Sequence, residues 1–358
     1  MLNLMRGNLV DLPTNASLSY YWCSGFMISG FLAVQIVSGI ILSLLYVADV
    51  GLSFPCVMEI TNDSMFSWVT RYVHIWGVSF IFIVFSVHMG RALYYSSYTK
   101  VSVWNVGFVL YLLTMVEAFL GYILPWHQMS YWAATVLTSV VQSVPIVGEL
   151  LYSYIVGGFS VTNVTLVRVF AAHVVLAFAI IGMSVLHLFY LHKTGSNNSL
   201  FVSNGYSDAV HFHSYYSNKD LFCLVTLYSI CLFLIFFLPD FVLDVESYLQ
   251  ADPLVTPASI KPEWYFLFYY AMLRSVSSKI GGLVLVVVFL FLLWIPTSNK
   301  ACSYFVSRQV LYWLIWSQII LLSYLGACHP EDPYVLISQV SSFISVFSLF
   351  LFKGFWTY

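Results

Sequence analysis

Four histidines stand in two pairs with the same spacing. His74 and His88 lie in one apolar run and His173 and His187 in another, 14 residues apart in each case. An α-helix rises about 1.5 Å per residue with 3.6 residues per turn, so each spacing makes just under four turns and roughly 21 Å. Both imidazoles of a pair therefore share one helix face. A single histidine in an apolar helix is often only a hydrogen-bonded structural residue. Ionisable groups inside a membrane are costly, however, and tend to be functional, and chance is a poor account of an identical spacing found twice. Two such helices side by side would present two facing histidine couples, one near each surface of a bilayer. That geometry suits two stacked bis-histidine haems. Filling both axial positions blocks oxygen chemistry and leaves an electron carrier.

Glycines on the neighbouring apolar runs repeat the period. Gly25 and Gly39 are 14 apart, as are Gly107 and Gly121. A haem is a broad flat plate, and a helix beside it needs a point without a side chain. Small residues are also common wherever membrane helices touch, but the shared period favours cofactor packing. Arg71, Arg91 and Arg168 flank the histidines. They suit bidentate pairing with haem propionates, a role compatible with simple interfacial anchoring.

The elements that must position these residues follow from composition. The chain has 358 residues, 61% hydrophobic and only 8% charged, against about 25% charged in soluble domains. It reads as an integral membrane protein. A net charge of −2 gives no footing for nucleic acid. Six cysteines (Cys23, Cys56, Cys223, Cys231, Cys302, Cys328) form no C-x-x-C, which argues against iron–sulfur, zinc or disulfide frameworks and against covalent haem attachment. No signal or transit segment is expected at the N-terminus.

Eight segments are long and apolar enough to span, near 23–46, 70–94, 105–125, 169–191, 221–238, 281–297, 310–326 and 335–352. The expected fold is all-α, a polytopic membrane protein whose first four spans form a four-helix bundle around the haems. The stretch 126–168, broken by prolines and glycines, reads as short surface helices, and 239–280 as a long structured loop. A weak division near 195–219 separates residues 1–200, the histidine-bearing half, from residues 201–358. On alternate connections, the side of the N-terminus holds Arg6, Arg91, Lys100, Lys193, Lys219, Lys300, Arg308 and Lys353 against Asp11, Asp208 and Asp220. The opposite side holds five basic and eleven acidic residues. The positive-inside rule then puts both termini on the negative side of the membrane.

The stretches RYVHIWG and HMGRALYYSSY within 71–98, GYILPWHQMSYWAATV at 121–136, GGFSVTNVTLVRVFAAH at 157–173, HLFYLHKTGSNN at 187–198 and KPEWYFLFYYAMLRS at 261–275 resemble mitochondrial-type cytochrome b of the cytochrome bc1 complex. The likeness covers essentially the whole chain, and the unbroken eight spans match the bc1 type better than the split plastid form. The resemblance implies two non-covalent b haems, one on the positive side held by His74 and His173 and one on the negative side held by His88 and His187. It implies a quinol oxidation site at Pro262-Glu263-Trp264-Tyr265, with Glu263 accepting a quinol proton, Tyr265 beside it, and Tyr122, Pro125, Trp132 and Tyr270 as walls. It implies a quinone reduction site at His192, Ser196, Lys219 and Asp220, where His192 and Asp220 would bond the quinone carbonyls and supply protons. The implied activity is ubiquinol–cytochrome c reduction by a proton-translocating Q cycle, with cytochrome c1, the Rieske iron–sulfur protein and other bc1 subunits as partners. The implied setting is a dimeric complex in the mitochondrial inner membrane, both termini in the matrix.

The chain departs from the family pattern at His127 and Ala133, where glycine is usual, and at Glu117, where an uncharged residue is usual. His127 has no ligand role if four histidines already fill the haem positions. Glu117 reads as a hydrogen-bonded buried carboxyl or, alternatively, as an extra proton relay near the oxidation site. Two other readings explain part of the pattern. A dihaem anchor of a dehydrogenase would account for the histidines but not for residues 262–265, and a haem-free transporter would use the histidines to relay protons.

Overall fold

Lipid offers no hydrogen-bond partners, so an apolar run crossing it must satisfy its backbone within itself, as a helix. The computed structural model describes residues 6–64, 66–200, 208–297 and 303–354, and its main elements are helices. Lys300 and Cys302, used above in the charge and cysteine arguments, lie outside the described residues. In order, the helices are α1 (Ser24–Ser43), α2 (Ser53–Asn62), α3 (Ser67–Tyr94), α4 (Val101–Ile123), α5 (Gln128–Gln142), α6 (Gly148–Val156) and α7 (Asn163–Thr194). There follow α8 (Phe212–Phe237), α9 (Leu267–Ser275), α10 (Lys279–Trp294), α11 (Val306–Ala327) and α12 (Tyr334–Gly354). Short 3-10 turns lie at Tyr20–Cys23, Ser97–Thr99, Pro239–Val242, Val245–Tyr248 and Trp264–Phe266.

Among the described residues, seven helices are long and apolar enough to cross a bilayer: α1 with the turn before it, α3, α4, α7, α8, α11 and α12. The eighth expected span, 281–297, is the shorter α10 of 16 residues, about 24 Å against a hydrocarbon core of roughly 30 Å. It stops because Ile295 precedes Pro296 and adopts an extended conformation (φ −45°, ψ 116°), as residues before proline tend to. α7 starts six residues earlier than its apolar stretch, because Thr162 and Thr165 form a capping box. Two features were not expected. One is α2, with Pro55 in its first turn, where proline is tolerated. The other is a two-strand antiparallel pair, β1 (Pro13–Asn15) with β2 (Ala209–His211), register Thr14 to Val210.

α1 lies along α3, and α4 along α7; α8 leans on both α1 and α3. Phe31, Trp76, Phe80, Leu224 and Ile235 form the core of the first group. The helices α9 to α12 pack together around Met272, Phe289, Leu322 and Leu349. α12 turns buried serines 338, 341, 342, 345 and 348 inward, small polar residues of the kind that let membrane helices approach. Arg308 ties the halves: it is buried and donates to the Leu93 carbonyl, Ser96 Oγ and Tyr98 OH at 3.1–3.2 Å.

Gly326 marks the tightest contact between α11 and α9. A Cβ there would lie 2.2 Å from the Leu267 carbonyl oxygen, a backbone atom with no room to yield. Gly326→Ala is therefore expected to destabilise by about 1–3 kcal/mol through overpacking. Thermal unfolding of the detergent-solubilised protein measures this, and an unchanged midpoint refutes the contact.

Candidate functional site

α3 and α7 run in the same direction, with one membrane crossing, α4, between them, so the first histidine of one helix meets the first of the other. The ring centroids of His74 and His173 are 6.4 Å apart, and those of His88 and His187 are also 6.4 Å apart. Two metal–imidazole bonds of roughly 2 Å, with half a ring at each end, span about that distance. Among the described residues no three His, Cys, Asp or Glu side chains converge on a bare metal site. Each pair sets two imidazoles opposite each other, a donor set that fits a haem rather than a bare ion.

The proton positions fit as well. Ser38 Oγ donates to the Val34 carbonyl at 2.7 Å and Ser24 Oγ to the Tyr21 carbonyl at 2.8 Å. Each hydroxyl can then accept, and His74 Nδ1 stands 2.9 Å from Ser38 Oγ and His88 Nδ1 3.0 Å from Ser24 Oγ. His173 Nδ1 faces the Glu117 carbonyl oxygen at 3.1 Å and Glu117 Oε1 at 2.9 Å. His187 Nδ1 turns toward the Val103 carbonyl without closing a full hydrogen bond. For His74, His88 and His173 the acceptor facing Nδ1 places the proton there and leaves the Nε2 lone pair bare, the tautomer that a metal takes up.

Each of the four glycines lies against a histidine ring. An added Cβ at Gly25, Gly39, Gly107 or Gly121 would sit 3.4, 3.2, 2.9 or 2.8 Å from the Cε1 of His88, His74, His187 or His173. α1 thus supports the two histidines of α3, and α4 those of α7.

A cavity of about 280 Å³ starts at the His74–His173 pair and reaches Glu263. Gly39, Gly121, Arg71, Glu117, Tyr122, Pro125, His127 and Tyr265 share its wall. Burial, reinforced by the Asp244 charge, pushes the Glu263 carboxyl up to about 8. Asp244 goes the other way. Burial opposes its anion, but Lys261 Nζ at 2.8 Å and the Glu246 backbone N–H at 3.0 Å hold it below the usual carboxylate range. Burial beside Glu263 raises the Tyr265 phenol well above its ordinary value, so it remains a donor. Its ring stacks on Phe82 at 4.1 Å.

His127 caps α5: its Nδ1 accepts from the Ser130 backbone N–H at 3.0 Å. Its proton therefore sits on Nε2, the opposite tautomer from the facing pairs. Burial and nearby Arg71 push it down to about 3.

Several expected wall residues lie elsewhere. Trp132 and Tyr270 are not in the cavity lining. Trp132 Nε1 donates to Gln128 Oε1 at 3.2 Å, and the Tyr270 hydroxyl donates to the Ile260 carbonyl at 2.8 Å. Pro262 also lies outside the lining, and Trp264 Nε1 bonds Ser79 Oγ at 3.1 Å. Arg71 reaches the cavity while donating to Thr61 Oγ1 at 2.5 Å. Arg168 instead donates to the Tyr154 carbonyl. Arg91 lies over the Trp22 ring at 5.1 Å, with its Nε buried and without a partner among the described residues. A buried guanidinium nitrogen left open fits an anionic group such as a propionate.

At the other end, His192 occupies the last turn of α7, and Ser196 follows in the connection after it. That connection docks on the N-terminal segment, with Trp22 Nε1 donating to the Asn197 carbonyl at 2.8 Å. Lys219 Nζ donates to the Leu18 carbonyl at 2.7 Å and lies 4.6 Å from the Tyr20 ring centre. Asp220 is buried beside Cys23. Residues 18–23 are thus the common neighbour of both segments.

Ser24 and Ser38 are the residues that reading the sequence missed. They repeat the 14-residue period, one position before Gly25 and Gly39, and that repeat was available as a signal. Asp244 and Lys261 carried none, because only the folded loop brings them to Glu263.

Known proteins match this architecture along the whole chain. Residues 9–195 match the family described as cytochrome b/b6/petB, and residues 250–346 the family described as cytochrome b(C-terminal)/b6/petD. A solved chain titled "Hyperthermophilic respiratory Complex III" superposes with a TM-score of 0.89 at 26% sequence identity, over 99% of this chain and 95% of that one. Facing histidine pairs, a glycine behind each ring and two family matches lead to one assignment: the chain belongs to the cytochrome b family, and to its bc1 type.

Proposed function

We propose that the chain is the cytochrome b subunit of a ubiquinol–cytochrome c reductase, working by a Q cycle. The observation that carries this reading is the cavity joining the His74–His173 pair to Glu263. Glu263 and the His74–His173 pair share its wall, which supports a proton acceptor and an electron acceptor working on one bound quinol. Two b haems, one held by His74 and His173 and the other by His88 and His187, would supply one-electron carriers between a quinol oxidation site and a quinone reduction site. Arg71 and Arg91 would pair with their propionates.

The chain's own residues then divide the work. The apolar wall around Tyr122 and Pro125 admits a quinol head and excludes water. Tyr265 offers a hydroxyl hydrogen to a quinol oxygen. Glu263, in its anionic form, takes a proton from the quinol and passes it toward the Asp244–Lys261 pair. At the opposite face, His192 and Asp220 would bond the quinone carbonyls and deliver protons, with Ser196 and Lys219 beside them. Residues 1–200 carry the haem ligands, and residues 201–358 add the loop of Glu263. Partners would be cytochrome c1, the Rieske iron–sulfur protein and other bc1 subunits in a dimeric complex. The place would be the mitochondrial inner membrane, both termini facing the matrix.

A reduced-minus-oxidised spectrum with haem extraction tests the reading. Two b-type haems per chain support it, and none or one overturns it. The glycine contacts sharpen this test. Gly121→Val and Gly107→Val should each remove one haem equivalent. Gly182→Val on α7, where nothing lies within 4 Å of an added Cβ, should keep both.

The raised Glu263 carboxyl predicts a pH profile. Below about 8 the carboxyl is mostly neutral and cannot accept a proton, so quinol oxidation should rise with pH and level off near that value. Glu263→Gln should remove this limb and slow oxidation at least tenfold, within the range for a general base. Asp244→Asn should shift the limb to lower pH. An identical profile in all three proteins would rule out Glu263 as the acceptor.

A further inference from the structure

The four candidate ligands do not have equivalent partners. His74 and His88 give their Nδ1 protons to serine hydroxyls, and His187 turns to a backbone carbonyl. His173 alone meets a carboxyl group, with Glu117 Oε1 at 2.9 Å and the Glu117 carbonyl oxygen at 3.1 Å from Nδ1.

Local geometry explains the contact. Glu117 lies one helical turn before Gly121, the residue that lets the His173 ring come within 2.8 Å of where a Cβ would stand. The equivalent position before Gly107 is Val103, which offers His187 only its backbone. One side chain therefore separates two otherwise repeated sites on α4. Among the described residues Glu117 has no ion-pair partner other than His173. Its Oε2 is buried with no hydrogen bond. A helix rarely carries such a carboxyl without a local task.

We propose that Glu117 is a tuning residue for the metal centre at the His74–His173 pair. Its carboxyl oxygen draws on the Nδ1 proton of His173, which makes Nε2 a stronger electron donor than the other three imidazoles. A more basic ligand would favour the oxidised metal, so Glu117 would lower the potential of a centre held by this pair. The inference rests on the reading above that both pairs hold haem.

The test is a potentiometric titration of the purified complex, followed in the visible spectrum, for the unsubstituted protein, Glu117→Gln and Glu117→Val. Glutamine keeps an acceptor of the same shape, and valine reproduces the Val103 site. One b-type component should move to higher potential, by about tenfold in its electron affinity or ~59 mV for a one-electron couple, and further in the valine variant. The other component should stay in place. Two haems with unmoved midpoints in both variants would overturn the proposal. So would loss of one haem in both, which would make Glu117 a retaining rather than a tuning residue. Absence of haem from the unsubstituted protein would instead defeat the underlying reading.

Discussion

The arrangement depends on which nitrogen of each imidazole carries its proton. A neutral histidine can ligate through Nε2 only if its other nitrogen holds the hydrogen, and at His74, His88 and His173 the neighbouring helix offers that nitrogen an acceptor. Ser24 and Ser38 spend their own hydrogens on the Tyr21 and Val34 carbonyls. Their remaining lone pairs can only accept. The glycine one position later removes the side chain that would keep the ring from that hydroxyl. Hydroxyl, glycine and histidine thus form one unit, built twice along α1 and α3. α4 presents backbone carbonyls one turn before Gly107 and Gly121, and the bond closes at His173. His127 is the counter-example in the same cavity wall. A backbone N–H donates to its Nδ1, so it caps a helix and has no free Nε2 lone pair to give a metal.

The histidines and glycines were legible because their 14-residue period is a property of the helix, and helices in lipid leave little else to choose from. Glu263 was legible through its Pro-Glu-Trp-Tyr context. The misplacements have a common cause. Trp132, Tyr270 and Arg168 stand close in sequence to residues that do line the cavity, but sequence proximity does not say which way a side chain points. Tyr270 turns back to the Ile260 carbonyl and Arg168 to the Tyr154 carbonyl. Elements of three to ten residues, such as β1, β2 and α2, show too few periods to stand out. The limits of α7 and α10 were set by a capping box and a proline, local devices that an average over apolar residues does not resolve.

Burial does the chemical work around Glu263. An apolar cavity raises the cost of any net charge, and an electron leaving a quinol without its proton would create one. On the proposed reading, the same low polarity that pushes the Glu263 carboxyl up to about 8 makes proton and electron leave together. The Asp244–Lys261 pair, at 2.8 Å and partly exposed, lies outward of Glu263 and keeps its charges where water can screen them.

Two centres with the same ligands would give an electron no preferred direction. Helix repetition makes the two histidine pairs as alike as the fold allows, down to an equal 6.4 Å separation, so any preference must come from what surrounds them. The surroundings do differ. The His74–His173 pair opens on the cavity of Glu263 and has Glu117 behind it, whereas the His88–His187 pair lies beside Arg91, a cation held against Trp22. A nearby negative group favours the oxidised state of a centre and a nearby positive group the reduced state. On the proposed reading, Glu117 would favour the oxidised state at the first pair and Arg91 the reduced state at the second, with Arg71 in the cavity wall partly offsetting Glu117.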